Sequence, residues 1–194
     1  MKTTIIKYNA GNIQSVSFAL ERLGIDFNIT DDPDQIKSAD KVIFPGVGEA
    51  STTMQYLRDR KLDSLIRELK QPVLGICLGM QLMCRHSEEN GTECLGIFDE
   101  EVKRFIPKGD MKVPHMGWNQ LTLTDSWLDP KLENRNAYFV HSYYVPVNPY
   151  TSAVAEYTVP FSASMRRDNF YAVQFHPEKS AAAGELVLKS FFKL

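Results

Sequence analysis

Short apolar runs alternate along the first half of the chain with segments whose apolar residues recur at helical spacing. The apolar runs predict four strands, at residues 3–9, 26–30, 41–44 and 73–76. The segment from Ile13 to Leu23 predicts a helix, and residues 52–69 predict helix with a break near Lys61. Strands that alternate with helices predict parallel pairing through right-handed crossovers.

Capping residues mark the ends of these helices. Asn12 is predicted to cap the first helix and Gly24 to end it. Asp31 and Asp32 precede Pro33, a pattern typical of a capped helix with proline in its first turn.

The second half of the chain is mostly strand-like. Its strand-like segments are residues 113–124, 137–145, 153–159, 161–166 and 171–175. Asp168 and Asn169 are typical of a hairpin turn, and residues 180–192 predict a closing helix. Because no repeat, low-complexity tract or linker interrupts the chain, we predict one domain over residues 1–194. Its predicted fold is α/β, a doubly wound and mostly parallel sheet with an antiparallel extension in the second half.

Cys77 lies between an apolar run and a helix-compatible segment, with Gly75 and Gly79 on either side. Glycine is required where the two arms of a tight strand-to-helix elbow approach each other. At such an elbow the unpaired N–H groups of the helix N-terminus favour the thiolate. We therefore expect Cys77 to be a nucleophile. The alternative is a buried structural cysteine, which is the commoner role of this residue.

A nucleophilic cysteine needs a base, and His176 has the best setting of the four histidines. It ends an alternating aromatic and β-branched run, and Pro177 stops the strand. Glu178 can reach back to the imidazole and hold its tautomer, which gives a Cys77–His176–Glu178 triad. Taken alone, a solvated loop histidine explains this segment about as well.

The apolar run at residues 41–44 leads into a glycine-rich turn at residues 45–48. The backbone N–H groups of Val47, in this turn, and of Leu78, after the nucleophile, are predicted to form an oxyanion hole. The alternatives are a phosphate-binding turn or a plain strand-to-helix loop. The dinucleotide-binding fingerprint needs a third glycine, which is missing here.

The three parts of this site are predicted to follow strand ends. Phe44, Ile76 and Phe175 are each expected to be the last residue of a strand. Ligand sites of open α/β sheets form at the carboxyl ends of the strands. The turn, Cys77 and His176 should therefore converge, although they are far apart in sequence.

The composition of the chain argues against several classes of function. With 22 basic and 24 acidic side chains in 194 residues, the chain lacks the excess positive charge of a nucleic-acid-binding protein. We expect neither a signal peptide nor a membrane span, because the first residues and the rest of the chain lack the necessary apolar length. Three cysteines without a secretory signal favour a reducing cytoplasm. No spacing resembles a zinc site, so no metal is expected.

The elbow, the turn at residues 45–48 and the Gln-Phe-His-Pro-Glu-Lys segment at residues 174–179 together resemble the triad-type (class I) glutamine amidotransferases. Residues 8–12, 114–119 and 138–144 are similar, more narrowly, to the glutaminase subunits of imidazole glycerol phosphate synthases. The resemblance spans the whole chain and implies a flavodoxin-like fold.

The resemblance implies a reaction and a substrate pocket. Cys77 would attack the side-chain amide of glutamine, release ammonia and form a cysteinyl thioester that water cleaves to glutamate, without a cofactor. The positions that match glutamine-binding residues of the family are Gly48, Gln81, Glu89, His141, Ser142 and Tyr143. Without the resemblance, Glu89 would be interpreted as part of a solvated loop. His141 would be a histidine at a strand end.

The resemblance also implies a partner. In the synthases that the chain resembles, the glutaminase subunit forms a heterodimer with a cyclase subunit. The cyclase uses the ammonia to make imidazole glycerol phosphate and aminoimidazole carboxamide ribotide in histidine biosynthesis. The positions implied at the interface are Asn12, His115, Trp118 and Lys179. In the alternative interpretation Trp118 anchors a core or loop and Lys179 is a solvated lysine at a helix start.

Other functions compete with this one. The chain could be an amidotransferase that feeds another acceptor, a hydrolase with a cysteine elbow, or a binding subunit without activity. The His-Pro-Glu segment counts against the hydrolase, which would not need it. The presence of all three triad residues counts against the inactive subunit.

Overall fold

The computed structural model describes residues 1–8, 12–124 and 127–194. The first half alternates strands and helices, as predicted. These elements are β1 (Thr3–Ile6), α1 (Ile13–Arg22), β2 (Phe27–Thr30), α2 (Pro33–Lys37), β3 (Lys41–Phe44), α3 (Ala50–Asp59), α4 (Leu62–Glu68), β4 (Val73–Ile76) and α5 (Leu78–Met83).

The second half is mostly strand and ends in a helix. Its elements are β5 (His86–Ser87), β6 (Thr92–Glu93), β7 (Glu101–Arg104), β8 (His115–Gln120), β9 (Thr122–Leu123), β10 (Asn136–His141), β11 (Tyr143–Tyr144), β12 (Thr151–Glu156), β13 (Pro160–Arg167), β14 (Phe170–Val173) and α6 (Ala181–Phe192). Short helical turns lie at Glu89–Gly91, Pro130–Leu132 and Pro177–Lys179.

The main sheet, over the described residues, has eight strands in the order β2-β1-β3-β4-β14-β13-β12-β9. The first five of these are parallel, and the last three extend the sheet in antiparallel fashion. This arrangement confirms the predicted doubly wound sheet with an antiparallel extension. It also makes β3, β4 and β14 neighbours, so their carboxyl ends lie side by side.

Helices cover both faces of the parallel region. Successive strand residues point to opposite faces. Ile6 and Phe44 pack on one face with apolar residues of α3, α4 and α5. Ile5 and Ile43 pack on the other face with apolar residues of α1 and α6. Burial on both faces explains why these short strands are almost wholly apolar in sequence.

Several local predictions are confirmed. The Asp32 side chain accepts a hydrogen bond from the backbone N–H of Gln35 and caps α2, with Pro33 in its first turn. Lys61 adopts a left-handed conformation and separates α3 from α4. Asp168, also left-handed, forms the hairpin turn between β13 and β14.

Three predictions about element ends are wrong. Asn12 makes no side-chain cap to α1, because its backbone is left-handed rather than extended, and its side chain instead contacts Glu178, as described below. β14 ends at Val173 rather than at Phe175. β1 ends at Ile6, and Asn9, its predicted end, lies outside the described residues together with Ala10 and Gly11.

A small second sheet was not predicted. It pairs β11, β7, β5 and β6 beside the main sheet and carries the segment that includes Glu89. Three of these strands have only two residues, too short to show an alternating pattern. In the part of the chain that the structure describes, none of the helices combines the length and apolar character needed to cross a membrane.

Candidate active site

Cys77 lies at a strand-to-helix elbow, between the last residue of β4 and the first residue of α5. Its φ of 51° is unusual for a residue with a side chain and is typical of a strained functional turn. Gly79 allows the tight turn, because a Cβ there would lie 2.1 Å from the carbonyl oxygen of Phe44. The elbow therefore packs directly against the end of β3.

His176 and Glu178 form a buried pair beside this elbow. His176 Nδ1 donates a hydrogen bond to Glu178 Oε1 over 2.7 Å, and both side chains are 1% exposed. The amide of Asn12 donates to the same carboxylate oxygen. Because the Nδ1 hydrogen is engaged in the hydrogen bond to Glu178, Nε2 is the ring nitrogen that can exchange a proton with a reacting group.

The charge state of His176 depends on its neighbours. Burial lowers the pKa of the imidazole, but the proximity of Cys77, the hydrogen bond to Glu178 and the negative charges of both residues outweigh burial and raise the pKa to about 10. His176 is therefore protonated at neutral pH when Cys77 is a thiolate. His176 Nε2 makes no hydrogen bond to other described residues.

The cysteine sulfur has two further polar neighbours. Gln174 Nε2 lies 3.6 Å from Cys77 Sγ, within the range of an N–H···S hydrogen bond. The carbonyl oxygen of Val140 lies 4.0 Å from the same sulfur. The N–H donor favours the thiolate, whereas the carbonyl can interact favourably only with the thiol.

The turn at residues 45–48 faces the elbow. The backbone N–H of Leu78 donates to the carbonyl oxygen of Gly46 over 3.3 Å. Carbonyl and N–H point in opposite directions across a trans peptide, so the N–H of Val47 is directed away from Leu78. The Tyr8 hydroxyl donates to the preceding carbonyl, that of Pro45. Burial, followed by the charge of Cys77, raises the pKa of the Tyr8 phenol far above its usual range, so it remains a donor.

A cleft of about 220 Å³ opens beside Cys77. Its walls come from the turn at residues 45–48, the elbow, the small sheet and β10. The residues that line it are Val47, Gly48, Cys77, Leu78, Gln81, Glu89, Val140 and His141.

Two predicted glutamine-binding residues on this wall, Gln81 and Glu89, have well-defined partners. Gln81 is buried, and its amide nitrogen donates to the carbonyl of Tyr143. Glu89 Oε2 accepts the backbone N–H of Ala50 over 2.8 Å. Burial raises the pKa of the Glu89 carboxyl, and this hydrogen bond counteracts the rise.

His141 is held from both sides. Its Nδ1 lies 2.7 Å from the carbonyl oxygen of Tyr143 and must donate to it, and its Nε2 lies 3.1 Å from His115 Nδ1. Burial lowers the pKa of His141 to about 3, so the ring is neutral at neutral pH. His141 therefore presents an apolar, uncharged ring to the cleft.

Ser142 and Tyr143 were predicted to bind glutamine, but neither is among the described residues that line the cleft. Tyr143 acts through its main chain, because its carbonyl accepts both Gln81 and His141. The carbonyl of Ser142 accepts the N–H of Phe105 and so joins β11 to β7. Glutamine binding by Ser142 and Tyr143 stays a prediction, and in this structure their main-chain carbonyls are the groups with defined partners.

The four predicted interface residues differ in exposure. Trp118 is 53% exposed and packs edge-on against Tyr138, and Lys179 is exposed without an ion pair to other described residues. Asn12 contacts Glu178, as described above. His115 is only 1% exposed and stacks on Tyr157. The His115 side chain is therefore not exposed in this chain, and its place at the interface stays a prediction.

Sequence reasoning missed three residues of the site. Gln174 and Tyr8 stand inside segments that point to the family, but nothing in their local pattern indicates that they contact the nucleophile or its turn. Val140 is an ordinary strand residue in sequence. Their roles come from long-range packing, since Gln174 is separated from Cys77 by 97 positions.

Comparison with known proteins places these features in context. Residues 4–194 match the model of the family described as glutamine amidotransferase class-I. The chain is 59% identical to imidazole glycerol phosphate synthase subunit HisH of Bacteroides fragilis, with both chains fully covered. It is 45% identical to the subunit of the same name from Escherichia coli, again over the full length of both. A crystal structure of a glutamine amidotransferase superposes with a TM-score of 0.76 over 98% of this chain and 97% of that one, at 17% identity.

Proposed function

Since the chain belongs to the class I glutamine amidotransferases, and within them to the HisH subunits of imidazole glycerol phosphate synthase, we propose that Cys77, His176 and Glu178 are the residues that hydrolyse its glutamine. The observation that carries this assignment is the buried His176–Glu178 pair beside a cysteine held at a strand-to-helix elbow. We further propose that residues 1–194 act as one glutamine amidotransferase domain, which the match over residues 4–194 supports.

In the proposed reaction the Cys77 thiolate attacks the side-chain amide carbon of glutamine. His176, which holds a proton at neutral pH, donates it from Nε2 to the departing ammonia. Water then attacks the γ-glutamyl thioester, with His176 accepting a proton from that water, and glutamate leaves. Glu178 keeps the imidazole in one tautomer and stabilises its charged form.

The tetrahedral intermediate needs two backbone donors, for which we propose Leu78 and Val47. In this structure the carbonyl of Gly46 accepts the N–H of Leu78 and so occupies that position. Rotation of the single peptide between Gly46 and Val47 would release Leu78 and turn the N–H of Val47 inward. Glycine at position 46 lets the turn lie against the elbow, since a Cβ there would be 2.5 Å from the backbone nitrogen of Gly79, and it lowers the conformational cost of this rotation.

Glutamine is proposed to bind in the cleft with its two charged groups away from the sulfur. Glu89 is suited to the α-ammonium group, because it is an acid on the cleft wall. Gln81 can offer only its amide oxygen to the ligand, since its amide hydrogens are used inside the protein. Gly48 and His141 complete the wall around the side chain of glutamine.

The ammonia is proposed to pass to the cyclase subunit of the synthase, which would make imidazole glycerol phosphate and aminoimidazole carboxamide ribotide. Trp118 and Lys179 are the candidate contacts, because both are exposed. Lys179 follows Glu178 directly, and Trp118 packs against Tyr138 of β10. No cofactor is needed, because a thiolate, an imidazole and two backbone amides suffice for acyl transfer. A cytoplasmic location belongs to this proposal and is supported by the free thiols of the described cysteines.

Cysteine substitutions in the complex with the cyclase subunit test the assignment. We expect Cys77→Ala to abolish synthesis from glutamine while leaving synthesis from added ammonia intact. Cys84→Ala and Cys94→Ala are matched controls that should retain most of the glutamine reaction. Wild-type glutamine hydrolysis by Cys77→Ala would show that the triad is assigned wrongly.

A further inference from the structure

Gln174 is a fully buried amide that touches the nucleophile. It follows β14 and precedes His176 by two residues. Its Oε1 accepts a hydrogen bond from Gln81 Nε2 over 2.9 Å. Its Nε2 lies 3.6 Å from Cys77 Sγ. The side chain therefore bridges the elbow helix and the sulfur.

The orientation of this amide is fixed by a chain of donors and acceptors. The carbonyl of Tyr143 can only accept, so the group of Gln81 that lies 2.9 Å from it must be the NH₂. The same NH₂ faces Gln174, which must therefore present its oxygen to Gln81. A flipped Gln174 amide would set N–H against N–H at Gln81. The remaining NH₂ of Gln174 is thus directed at Cys77.

We propose that Gln174 is a positioning residue that donates a hydrogen bond to the Cys77 thiolate and is itself held by Gln81. This inference rests on the proposed function, in which Cys77 is the nucleophile. The donor counteracts the carbonyl of Val140, which favours the protonated thiol. The carbonyl of Tyr143 holds Gln81, and Gln81 holds Gln174. The position of β11, which contains Tyr143, would therefore influence the reactivity of the sulfur.

The pH dependence of alkylation measures this effect directly. The full chain carrying Cys84→Ala and Cys94→Ala is treated with iodoacetamide, so that Cys77 alone reacts. In this background Gln174→Met removes the donor at similar size. We expect the midpoint of the alkylation profile to rise by about one pH unit or more, the usual effect of losing a hydrogen bond to a charged group.

A matched control separates this effect from a general loss of packing. Gln71→Met makes the same chemical change at an amide that donates to the carbonyl of Ile36, away from the cleft. Its midpoint should equal that of the background protein. An unshifted midpoint in a folded Gln174→Met protein would overturn the inference.

A second variant covers the case in which Gln174→Met does not fold. Gln81→Met keeps Gln174 but removes the donor that fixes its amide, so the midpoint should rise by a smaller amount. No rise would overturn the inference here as well. Alkylation needs no glutamine, so a shifted midpoint, combined with failure of the background protein to hydrolyse glutamine even with the cyclase subunit and its ribotide, would count against the proposed function alone. An unshifted midpoint in an active glutaminase would count against the role of Gln174 alone.

Discussion

The backbone N–H of Leu78 and the carbonyl oxygen of Gly46 are hydrogen-bonded to each other, 3.3 Å apart, at the edge of the cleft that contains Cys77. The N–H of Leu78 is one of the two proposed oxyanion donors. Gly46 lies in the turn that carries the other donor, Val47. While this bond exists, Leu78 cannot donate to an oxyanion and Val47 is turned away. The triad residues are in place, but the proposed hole is closed.

We therefore expect the isolated chain to be a poor glutaminase. Loss of one oxyanion donor costs about 3 kcal/mol, or about a hundredfold in rate. Addition of the cyclase subunit and its ribotide ligand should raise kcat for glutamine by at least this factor, because the partner would favour the open turn by binding it more tightly. Glutamate release measured with and without the partner checks this prediction. Full activity of the chain alone would contradict it and favour a simple hydrolase.

Lys179→Ala should weaken this activation. Lys179 is exposed beside His176 and has no ion-pair partner in the described part of its own chain, which suits a contact with an acid on the cyclase. We expect a lower activation ratio with the cyclase at a nearly unchanged KM for glutamine. Lys193→Ala, an exposed lysine after the end of α6, is the matched control. Equal activation ratios in the two variants would remove Lys179 from the interface.

A chloroketone analogue of glutamine should label the chain once, at Cys77. The other thiols are protected, because burial raises the pKa of Cys84 well above its usual range and that of Cys94 to about 12. Mass spectrometry of the digested protein locates the adduct. Labelling of Cys84 or Cys94 in the folded protein would count against the elbow as the reactive site.

The neutral ring of His141 should make the fold sensitive to acid. Burial lowers its pKa to about 3, below the value of about 6.5 expected in the unfolded chain. The unfolded state therefore binds the extra proton, and stability that is present above pH 6.5 is lost as the pH falls toward 3. Near pH 5 this residue should contribute about 1.4 kcal/mol per pH unit to the slope of the unfolding free energy.

Urea unfolding at several pH values measures that slope. His141→Gln removes the titrating ring and should flatten the pH dependence by this amount, whatever it does to stability at pH 7. An unchanged slope would mean that His141 is protonated in the folded protein as well.

The sequence predicts the parts of this site that depend on local patterns. The glycines around Cys77 permit a tight turn and the proline after His176 ends a strand, so the elbow and the position of the proposed base can be predicted without a structure. Alternating strands and helices then predict that both lie at the same edge of the sheet. The order β3, β4, β14 places these strand ends side by side, although β14 ends two residues before the predicted position.

Features that depend on long-range packing were not predictable. His115 belongs to a segment with the composition of an exposed interface, yet the ring of Phe139 in β10 and that of Tyr157, just after β12, stack on it. The amide of Asn12 is a plausible helix cap until Glu178, 166 positions away, accepts its hydrogen bond. Such contacts are set by how the sheets stack, which the spacing of residues along the chain does not encode.

The place of β14 in the middle of the main sheet has a consequence for how the enzyme is made. β14 pairs with β4 on one side and β13 on the other, and Phe170 lies opposite Val73. A growing polypeptide thus has its thiol almost a hundred residues before its imidazole and carboxylate are synthesised. The proposed reactive centre comes into existence only when this late strand enters the sheet. An unfinished chain accordingly contains the proposed nucleophile but not yet the proposed base and its carboxylate.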